Sequence, residues 1–255
     1  MRVAILADIH GNALALEAVL ARLREDAPDF TVNLGDCVSG PLWPRETAGI
    51  LMAQDWPTVR GNHDRWVTDQ SRAEMIPSDG FARDEMSDAQ LDWLRALPSI
   101  LQLDDMLMFH ARPKDDNAYL LDDVAPSGEM TLAPRERIEA HLAGESAPLI
   151  LCGHSHLPRV VMTANGGVIV NPGSVGAPGY HDPTPPIEHW AEVGSPHARY
   201  AIATRRGGVW SAALHAVEYD WDAAAKRAAS LDRPDWARAL ATGFVRDRGG
   251  RIGDD

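Results

Sequence analysis

The sequence has few cysteines, little positive charge and no long apolar run. Its 255 residues contain two cysteines, which are too few for a disulfide framework and fit a reducing compartment. A formal net charge of -13 argues against a broad basic face for nucleic acid or for an anionic membrane. No apolar run approaches the roughly 20 residues of a membrane span, and the one at the N-terminus is too short for a signal peptide. We therefore expect a cytoplasmic protein without a membrane or nucleic-acid partner. The sequence does not determine the oligomeric state, and a homodimer is one of the alternatives.

What the sequence does contain is an alternation of short apolar runs and helical patterns. Apolar positions between Leu16 and Leu23 follow the helical period until Pro28 ends the helix. Short, continuous apolar runs predict buried strands at residues 3–7 and 149–152, and further short strands are predicted at residues 30–34 and 58–60. This alternation is typical of an α/β fold, in which ligand sites lie beyond the carboxyl ends of the strands.

The remaining elements are predicted from turn and capping signals. A capping box at Ser87 opens a helix that Pro98 ends. Turn residues between apolar runs predict hairpins at residues 100–109, 160–170 and 199–214. Further helices are predicted at residues 45–53, 134–142 and 221–245, with a break at Pro234 in the last. Irregular or loop structure is predicted for residues 65–86, 111–133 and 176–197. We expect one domain over residues 1–245 and a disordered tail over residues 246–255.

Polar residues of the types that bind metals follow five of the predicted strands. They are Asp8 and His10, Asp36, Asn62 and His63, His110, and His154 and His156. Taken alone, most of these motifs also have an explanation without a metal. Asp8 and His10 fit a helix cap beside a surface imidazole, and Asp36 fits a turn. Asn62 and His63 fit an Asx turn, and His110 fits a hydrogen-bonded imidazole at a strand end. The pair His154 and His156 is the strongest, because two imidazoles after a buried strand are costly without a partner. Recurrence at successive strand ends favours a metal centre over these separate alternatives.

The types of ligand restrict the metal. In an extended chain, residues i and i+2 point to the same side, so Asp8 and His10 can bind one ion. His154 and His156, where a strand breaks into a loop, can diverge toward two ions. Oxygen and nitrogen donors without thiolate suit Mn, Fe, Zn, Co or Ni, and the several imidazoles argue against a site for Mg alone.

These motifs together resemble the calcineurin-like metallophosphoesterase superfamily. The resemblance rests on Asp-Ile-His-Gly-Asn at residues 8–12, Gly35-Asp36, Gly-Asn-His-Asp at 61–64, His110 and Gly-His-Ser-His at 153–156. The segment Asn-Pro-Gly-Ser-Val-Gly at 171–176 narrows it to the small, single-domain phosphodiesterases of bacteria and archaea. The resemblance spans residues 1–215 and implies a four-layer α-β-β-α sandwich of two mixed sheets flanked by helices.

The resemblance also implies a role for each motif residue. Two divalent transition-metal ions are expected, with Mn favoured. The first would be held by Asp8, His10 and His156, and the second by Asn62, His110 and His154. Asp36 would bridge both ions, and a metal-bridging hydroxide would be the nucleophile that attacks the phosphate ester. His63 would protonate the leaving alkoxide, and Asp64 would orient its ring.

The sequence departs from the family pattern at three places. The protein phosphatases of the family carry Asp-Arg-Gly after the second motif and Glu after Asn-His, whereas this sequence has Cys-Val-Ser-Gly-Pro at 37–41 and Asp64. This difference argues against a Ser/Thr protein phosphatase. Ala111 follows His110 where glycine is common.

Other residues are weaker candidates. Asn12, Arg60 and Arg112 are candidates for binding substrate, although a surface position is an equal alternative for the arginines. Cys37 and Cys152 are better explained as buried strand-end residues than as ligands. The loop predicted at 176–197 carries aromatic and imidazole side chains that either line the rim of a pocket or are solvated, namely Tyr180, His181, His189 and, at its end, His197.

The expected function is hydrolysis of a small phosphate ester by a metal-dependent phosphoesterase, with a phosphodiester as the favoured substrate. One alternative is a non-catalytic scaffold that keeps the fold for protein binding, although its ligand positions are all filled. A phosphomonoesterase and a nuclease are further alternatives, and the acidic composition weakens the nuclease.

Overall fold

The computed structural model describes residues 1–184 and 186–246. In these residues the helices are α1 (Ala13–Asp26), α2 (Pro44–Gln54), α3 (Asn62–Asp69), α4 (Pro77–Glu85), α5 (Asp88–Ala96), α6 (Arg135–His141), α7 (Trp221–Ser230) and α8 (Pro234–Thr242). The strands are β1 (Arg2–Leu6), β2 (Phe30–Asn33), β3 (Ile100–Leu103), β4 (Met106–Phe109), β5 (Asp122–Val124), β6 (Met130–Leu132), β7 (Leu149–Leu151), β8 (Arg159–Met162), β9 (Val168–Asn171), β10 (Gly179–Asp182), β11 (His189–Glu192), β12 (Ala198–Arg206) and β13 (Val209–Val217).

Two mixed sheets form the centre of the molecule. The first has the order β13-β12-β1-β2, in which β1 is parallel to β2 and antiparallel to β12. The second has the order β3-β4-β7-β9-β8, in which β4, β7 and β9 are parallel and the two edge strands are antiparallel to their neighbours. Two-stranded ribbons, β5-β6 and β10-β11, lie outside these sheets.

Side-chain alternation along the strands builds separate apolar layers. In β1, Val3 and Ile5 belong to the cluster that also contains Met106 and Leu149 of the second sheet, so this cluster fills the space between the sheets. Ala4 and Leu6 point the other way, into the cluster formed with the helices. A strand buried on both faces therefore reads as a continuous apolar run.

The outer faces of both sheets are covered by helices. Residues of α1, α2, α3 and α5 pack with the outer side of β1 and β12. On the second sheet, Leu107 and Ile150 pack with Ile138 of α6. The order of layers is helix, sheet, sheet, helix, which confirms the predicted α/β fold with two mixed sheets flanked by helices.

Several local predictions are corrected. The segment 65–86, predicted irregular, contains most of α3 and all of α4, and the segment 176–197 contains the ribbon β10-β11. The loop predicted at 111–133 contains β5 and β6. The strand predicted at 58–60 is reduced to one isolated bridge between Thr58 and Asn33. The helix α4 was not predicted because its first residues, Pro77 and Ser78 to Gly80, are of types that are common in turns.

At the C-terminal end, α7 and α8 pack on each other and on Leu42 through a small apolar cluster. Arg246, the last described residue, donates its backbone N–H to Glu192. The rest of the predicted tail, residues 247–255, lies outside the described residues, and the single-domain boundary at residue 245 stays a prediction. Among the described residues, no helix has both the length and the apolar character needed to cross a membrane.

Candidate metal centre

The predicted ligands come together because the strands that precede them end at one edge of the two sheets. Backbone hydrogen bonds join the segments that leave the strands: Asp8 N–H donates to Gly35 O at 3.0 Å, and Gly153 N–H donates to His110 O at 2.7 Å. The carboxylate of Asp8 accepts from the backbone N–H of His154, at 3.1 Å for Oδ2, which links the two sheets. Hydrogen bonds of the backbone therefore hold these motifs close together in space, although they are far apart in the sequence. No metal ion is needed for this proximity.

Two glycines allow this close approach. A Cβ at Gly61 would lie 2.1 Å from Oδ1 of Asp36, and a Cβ at Gly153 would lie 2.8 Å from Oδ2 of Asp8. Both distances are shorter than any real Cβ contact, so a side chain at either position would displace a carboxylate. The two glycines in the motifs are therefore explained by space for Asp36 and Asp8.

The first group of donor atoms consists of Asp8, His10 and His156, whose ligand atoms lie within 4.8 Å of one another. Nε2 of His10 lies 3.1 Å from Nε2 of His156, and Oδ1 of Asp8 lies 3.5 Å from the latter atom. All three residues are buried.

The second group consists of Asp36, His110 and His154, again with ligand atoms within 4.8 Å. Nε2 of His110 lies 3.2 Å from Oδ2 of Asp36. The two groups adjoin, because Oδ2 of Asp36 is also 3.8 Å from Nε2 of His10. The structure thus brings together six of the seven residues predicted as ligands and places His154 and His156 in different groups.

The hydrogen bonds of the rings fix which nitrogen faces the centre. Nδ1 of His10, His110 and His156 donates to the carbonyls of Ser39, Leu34 and Ala177 at 2.7 to 2.8 Å. Each neutral ring then presents its Nε2 lone pair to the centre. His154 is reversed, because its Nε2 donates to Asn117 O at 3.1 Å and leaves Nδ1 free to ligate.

These donor sets fit metal ions. Two nitrogen lone pairs that face each other at 3.1 Å, as in His10 and His156, repel unless a cation or proton lies between them. One buried atom, Oδ1 of Asn62, also has no hydrogen-bond partner. Ligands about 2.1 Å from one ion lie roughly 3.0 to 3.4 Å apart, which matches the shorter separations described above.

Without a cation the charges at the centre are poorly matched. Burial raises the pKa of Asp8 to about 8. Burial lowers the pKa of His10 to about 4 and that of His154 to about 3. Burial opposes charge on Asp36 and His110 as well, but their mutual attraction outweighs it, so the pKa of Asp36 falls well below its usual value and that of His110 rises to about 10. A bound cation would stabilise the ionised carboxylates and neutral imidazoles that metal ligation needs.

His63 lies beside the two groups, but Asp64 does not orient its ring. Nδ1 of His63 contacts Oδ1 of Asp79 at 2.8 Å, and Asp79 also accepts from Ser39 Oγ at 2.6 Å. The carboxylate of Asp64 instead accepts the backbone N–H groups of Asp36, Cys37 and Gly61 at 2.8 to 3.0 Å. The predicted orienting role of Asp64 is therefore wrong: Asp64 shapes the backbone around Asp36, and Asp79 holds the imidazole.

The three residues predicted to bind substrate all have other partners. Asn12 is fully buried, caps α1 through Ala15 N–H, and donates to Gly176 O and to Tyr219 Oη. These contacts give it a structural role, and its contact with substrate stays a prediction. Arg60 pairs with Asp69 at 3.6 Å, and Nε of Arg112 donates to Tyr119 O at 2.9 Å. The contact of these arginines with substrate stays a prediction.

Sequence reasoning missed two residues that hold the site in place. Asp79 lies on α4, 16 residues from His63, in a segment that reads as irregular. Asn117 accepts from His154 through its carbonyl and from Nδ2 of Asn62 through its side chain, at 3.1 and 3.2 Å. The second bond leaves Oδ1 of Asn62 as the atom that can bind a metal. Neither residue has a local sequence signal, because the contact partners lie on other segments.

The predicted rim residues divide into two kinds. The ring of Tyr180 contacts that of His156 at 4.8 Å, and His189 binds Tyr119 Oη at 2.7 Å beside it. His181 pairs with Glu188, and His197 contacts Trp221, both away from the ligands. Cys37 and Cys152 are buried free thiols, and burial raises the pKa of both well above the usual value, as expected for structural cysteines.

Comparisons with known proteins agree with the fold. A family model described as the calcineurin-like phosphoesterase superfamily domain matches residues 1–187, and the chain belongs to that superfamily. An uncharacterised protein of Methanocaldococcus jannaschii is 25% identical over 191 residues, which cover 69% of this chain and 76% of that protein.

Solved structures extend the similarity over most of the chain. The structure of a metallophosphoesterase from Sphaerobacter thermophilus matches with a TM-score of 0.71 and 25% identity, covering 96% of this chain and 99% of that one. A hypothetical protein from Pyrococcus horikoshii has the same fold, with a TM-score of 0.72, 20% identity and the same coverage. The resemblance to small bacterial and archaeal metallophosphoesterases is confirmed, and it supports a metal-binding phosphoesterase, which is a hydrolase.

Proposed function

We propose that this chain is a phosphodiesterase with two divalent transition-metal ions, manganese being favoured, and that its substrate is a small phosphate ester. Asp8, His10 and His156 would hold one ion. Asn62, His110 and His154 would hold the other, and Asp36 would contact both. The observation that carries the proposal is the convergence of ring nitrogens whose opposite nitrogens already donate to carbonyl oxygens.

When bound, two such ions supply Lewis-acid charge to the phosphoryl oxygens and an activated water. The residues of the chain supply the proton. His63 is held at Nδ1 by Asp79, so its Nε2 can deliver a proton to the leaving oxygen. Burial opposes a charged ring, but the charge of Asp36 and the hydrogen bond with Asp79 raise the pKa of His63 to about 9. The contact with Asp79 favours the protonated ring, which is the form that a general acid needs.

The charge of the surroundings favours a diester over a monoester. A phosphodiester carries one negative charge, whereas a monoester carries about two at neutral pH. The candidate cations Arg60 and Arg112 both hold other partners, and the chain as a whole has a charge of -13. A singly charged ester is repelled less by such a surface.

The test is turnover by protein loaded with manganese. We expect metal-dependent hydrolysis of bis(p-nitrophenyl) phosphate that exceeds hydrolysis of p-nitrophenyl phosphate. Asp36→Ala should lose manganese, measured by elemental analysis, together with activity, because both donor groups contain or adjoin Asp36. Absence of turnover with either ester would overturn the proposal, and a protein that also rejects manganese would favour the scaffold alternative.

A further inference from the structure

Trp66 is a large aromatic side chain that lies beside the proposed proton donor, His63. Its position is not explained by packing in a hydrophobic core. It lies three residues after His63 on α3, so both project from the same side of the helix. The ring centroids are 4.7 Å apart, and the ring planes meet at 78°. Trp66 is partly exposed, and among the described residues it belongs to none of the hydrophobic clusters that form the cores.

The other aromatic rings at the site have clear structural roles. Oη of Tyr119 lies 2.7 Å from both Tyr180 Oη and Nε2 of His189, so the two tyrosines are fixed in a shared network. Trp236, whose ring is 6.0 Å from that of His10, packs with Leu42 and Leu240 in the C-terminal cluster. Trp66 is the ring at this site for which packing gives no such reason.

The neighbours of Trp66 hold it in place. The guanidinium of Arg65 lies 5.9 Å from the indole centroid. Arg65 is itself fixed by two hydrogen bonds of 2.6 and 2.7 Å to Asp116. Because this carboxylate offsets its charge, Arg65 acts as a support for the indole more than as a phosphate ligand. The indole therefore presents an apolar surface next to the group that would protonate the leaving oxygen.

We propose that Trp66 binds a planar aromatic group on the leaving side of the substrate, so that the substrates are phosphate esters of an aryl group or of a nucleoside. This inference rests on the proposed function, because it uses the position of His63 as proton donor. Contact between an aromatic side chain and a base or aryl ring contributes about tenfold or more to affinity.

The test uses phosphonates, whose carbon–phosphorus bond an ester hydrolase does not cleave. Phenylphosphonate and methylphosphonate have the same charged group and differ in the ring. With manganese-loaded protein, we expect phenylphosphonate to bind about tenfold more tightly, measured by calorimetry and by quenching of tryptophan fluorescence. In Trp66→Leu the ratio of the two dissociation constants should fall toward one, and Trp66→Phe should retain most of it.

Trp93→Leu is the matched control, because Trp93 packs against the apolar cluster between the first sheet and its helices. This variant should have the same ratio as the wild type. A second pair of ligands identifies the source of the ring: uridine 5′-phosphate and ribose 5-phosphate differ in the base. A base that adds affinity through Trp66 indicates nucleoside esters, whereas an effect limited to the phenyl group indicates aryl esters.

Equal binding of both phosphonates to an enzyme that hydrolyses bis(p-nitrophenyl) phosphate would overturn the inference and leave the proposed function intact. A phenyl preference that survives in Trp66→Leu would overturn it as well. If the wild-type protein showed neither binding of the phosphonates nor metal-dependent turnover, the proposed function would be overturned, and this inference with it.

Discussion

Five residues of the centre have backbone conformations that most side chains avoid. Asp8, His10, Asp36, His154 and His156 have φ between 52° and 69°. This left-handed region costs roughly 1 to 2 kcal/mol per residue with a Cβ, although Asp and His adopt it more readily than most. Main-chain bonds such as His10 N–H to Asp36 O hold the conformation in place. Strain that is held in this way at several neighbouring residues is typical of functional sites.

The left-handed conformation also corrects the explanation of why Asp8 and His10 can bind one ion. Asp8 and His10 face one centre, but both are left-handed, so the alternation of an extended chain does not explain it. The motif predicted correctly that Asp8 and His10 lie together in space. The backbone that orients them depends on contacts with the Asp36 segment.

His63→Ala should retain manganese and lose turnover in a way that depends on the leaving group. The substitution removes the proton donor, which contributes about 10² to 10⁴-fold for a poor leaving group. Hydrolysis of an alkyl ester should fall by that factor, and hydrolysis of a p-nitrophenyl ester much less. Elemental analysis and kcat for both esters check this. An equal loss for both esters would contradict a proton-donor role.

Asp79→Asn tests the residue that holds His63. A general acid acts while it is protonated, so activity is present below its pKa and is lost as the pH rises through it. Removing the Asp79 charge lowers the pKa of His63, so the alkaline limit of kcat should move to lower pH.

Asp84→Asn is the control for Asp79→Asn, because Asp84 lies on the same helix and pairs with Arg72 at the surface. Its pH profile should match the wild type. An unchanged alkaline limit in Asp79→Asn would show that Asp79 has no influence on the donor.

At the level of elements, the start of α3 and the end of β2 are fitted together at Gly61. A Cβ at Gly61 would also meet the backbone nitrogen of Asp36 at 2.5 Å, so Gly61→Ala must shift the Asp36 segment. We expect this variant to lose most of its manganese and its activity and to be destabilised by about 1 to 3 kcal/mol. Metal analysis and urea unfolding measure both effects.

Gly49→Ala gives the matched comparison, because Gly49 lies in α2, is exposed, and has open space at its Cβ position. Alanine in a helix interior is better than glycine by roughly 0.5 to 1 kcal/mol, so this variant should be more stable and fully active. If both alanine variants behaved alike, the close approach at Gly61 would not be what maintains the centre.

The elements predicted well are those with strong local signals. β1 and β7 are continuous apolar runs, and α5 begins at the predicted capping box of Ser87 and Gln90. Elements predicted wrongly are short and polar. α3 has eight residues and carries site residues in its first turn, and β10 follows proline and glycine. In such segments tertiary contacts outweigh local propensity.

For the whole molecule, metal binding and folding should be linked. The centre buries two carboxylates and several imidazoles whose ligand states a cation stabilises. A ligand at about a thousand times its Kd stabilises the folded state by roughly 4 kcal/mol, which is about 10 °C in Tm for a chain of this size. EDTA should therefore lower the Tm, and added manganese should restore it.

The effect should weaken as the pH falls, because protons compete with the metal for imidazole and carboxylate ligands. Scanning calorimetry at two pH values measures this. Asp36→Ala serves as the control and should show no response to EDTA or manganese. A wild-type Tm that is insensitive to both additions would contradict a metal-linked fold.

The sequence by itself determined the fold class, the family and most of the candidate ligands. Apolar runs mark buried strands, and Asp, Asn and His are chemically distinctive at the ends of those strands. Only the tertiary structure decided how these residues are held: which ring nitrogen faces the centre, that Asp79 and not Asp64 contacts His63, and that Asn117 orients Asn62 and His154. These contacts join residues on different segments, and their partners are set by packing between sheets and helices, which no local pattern records.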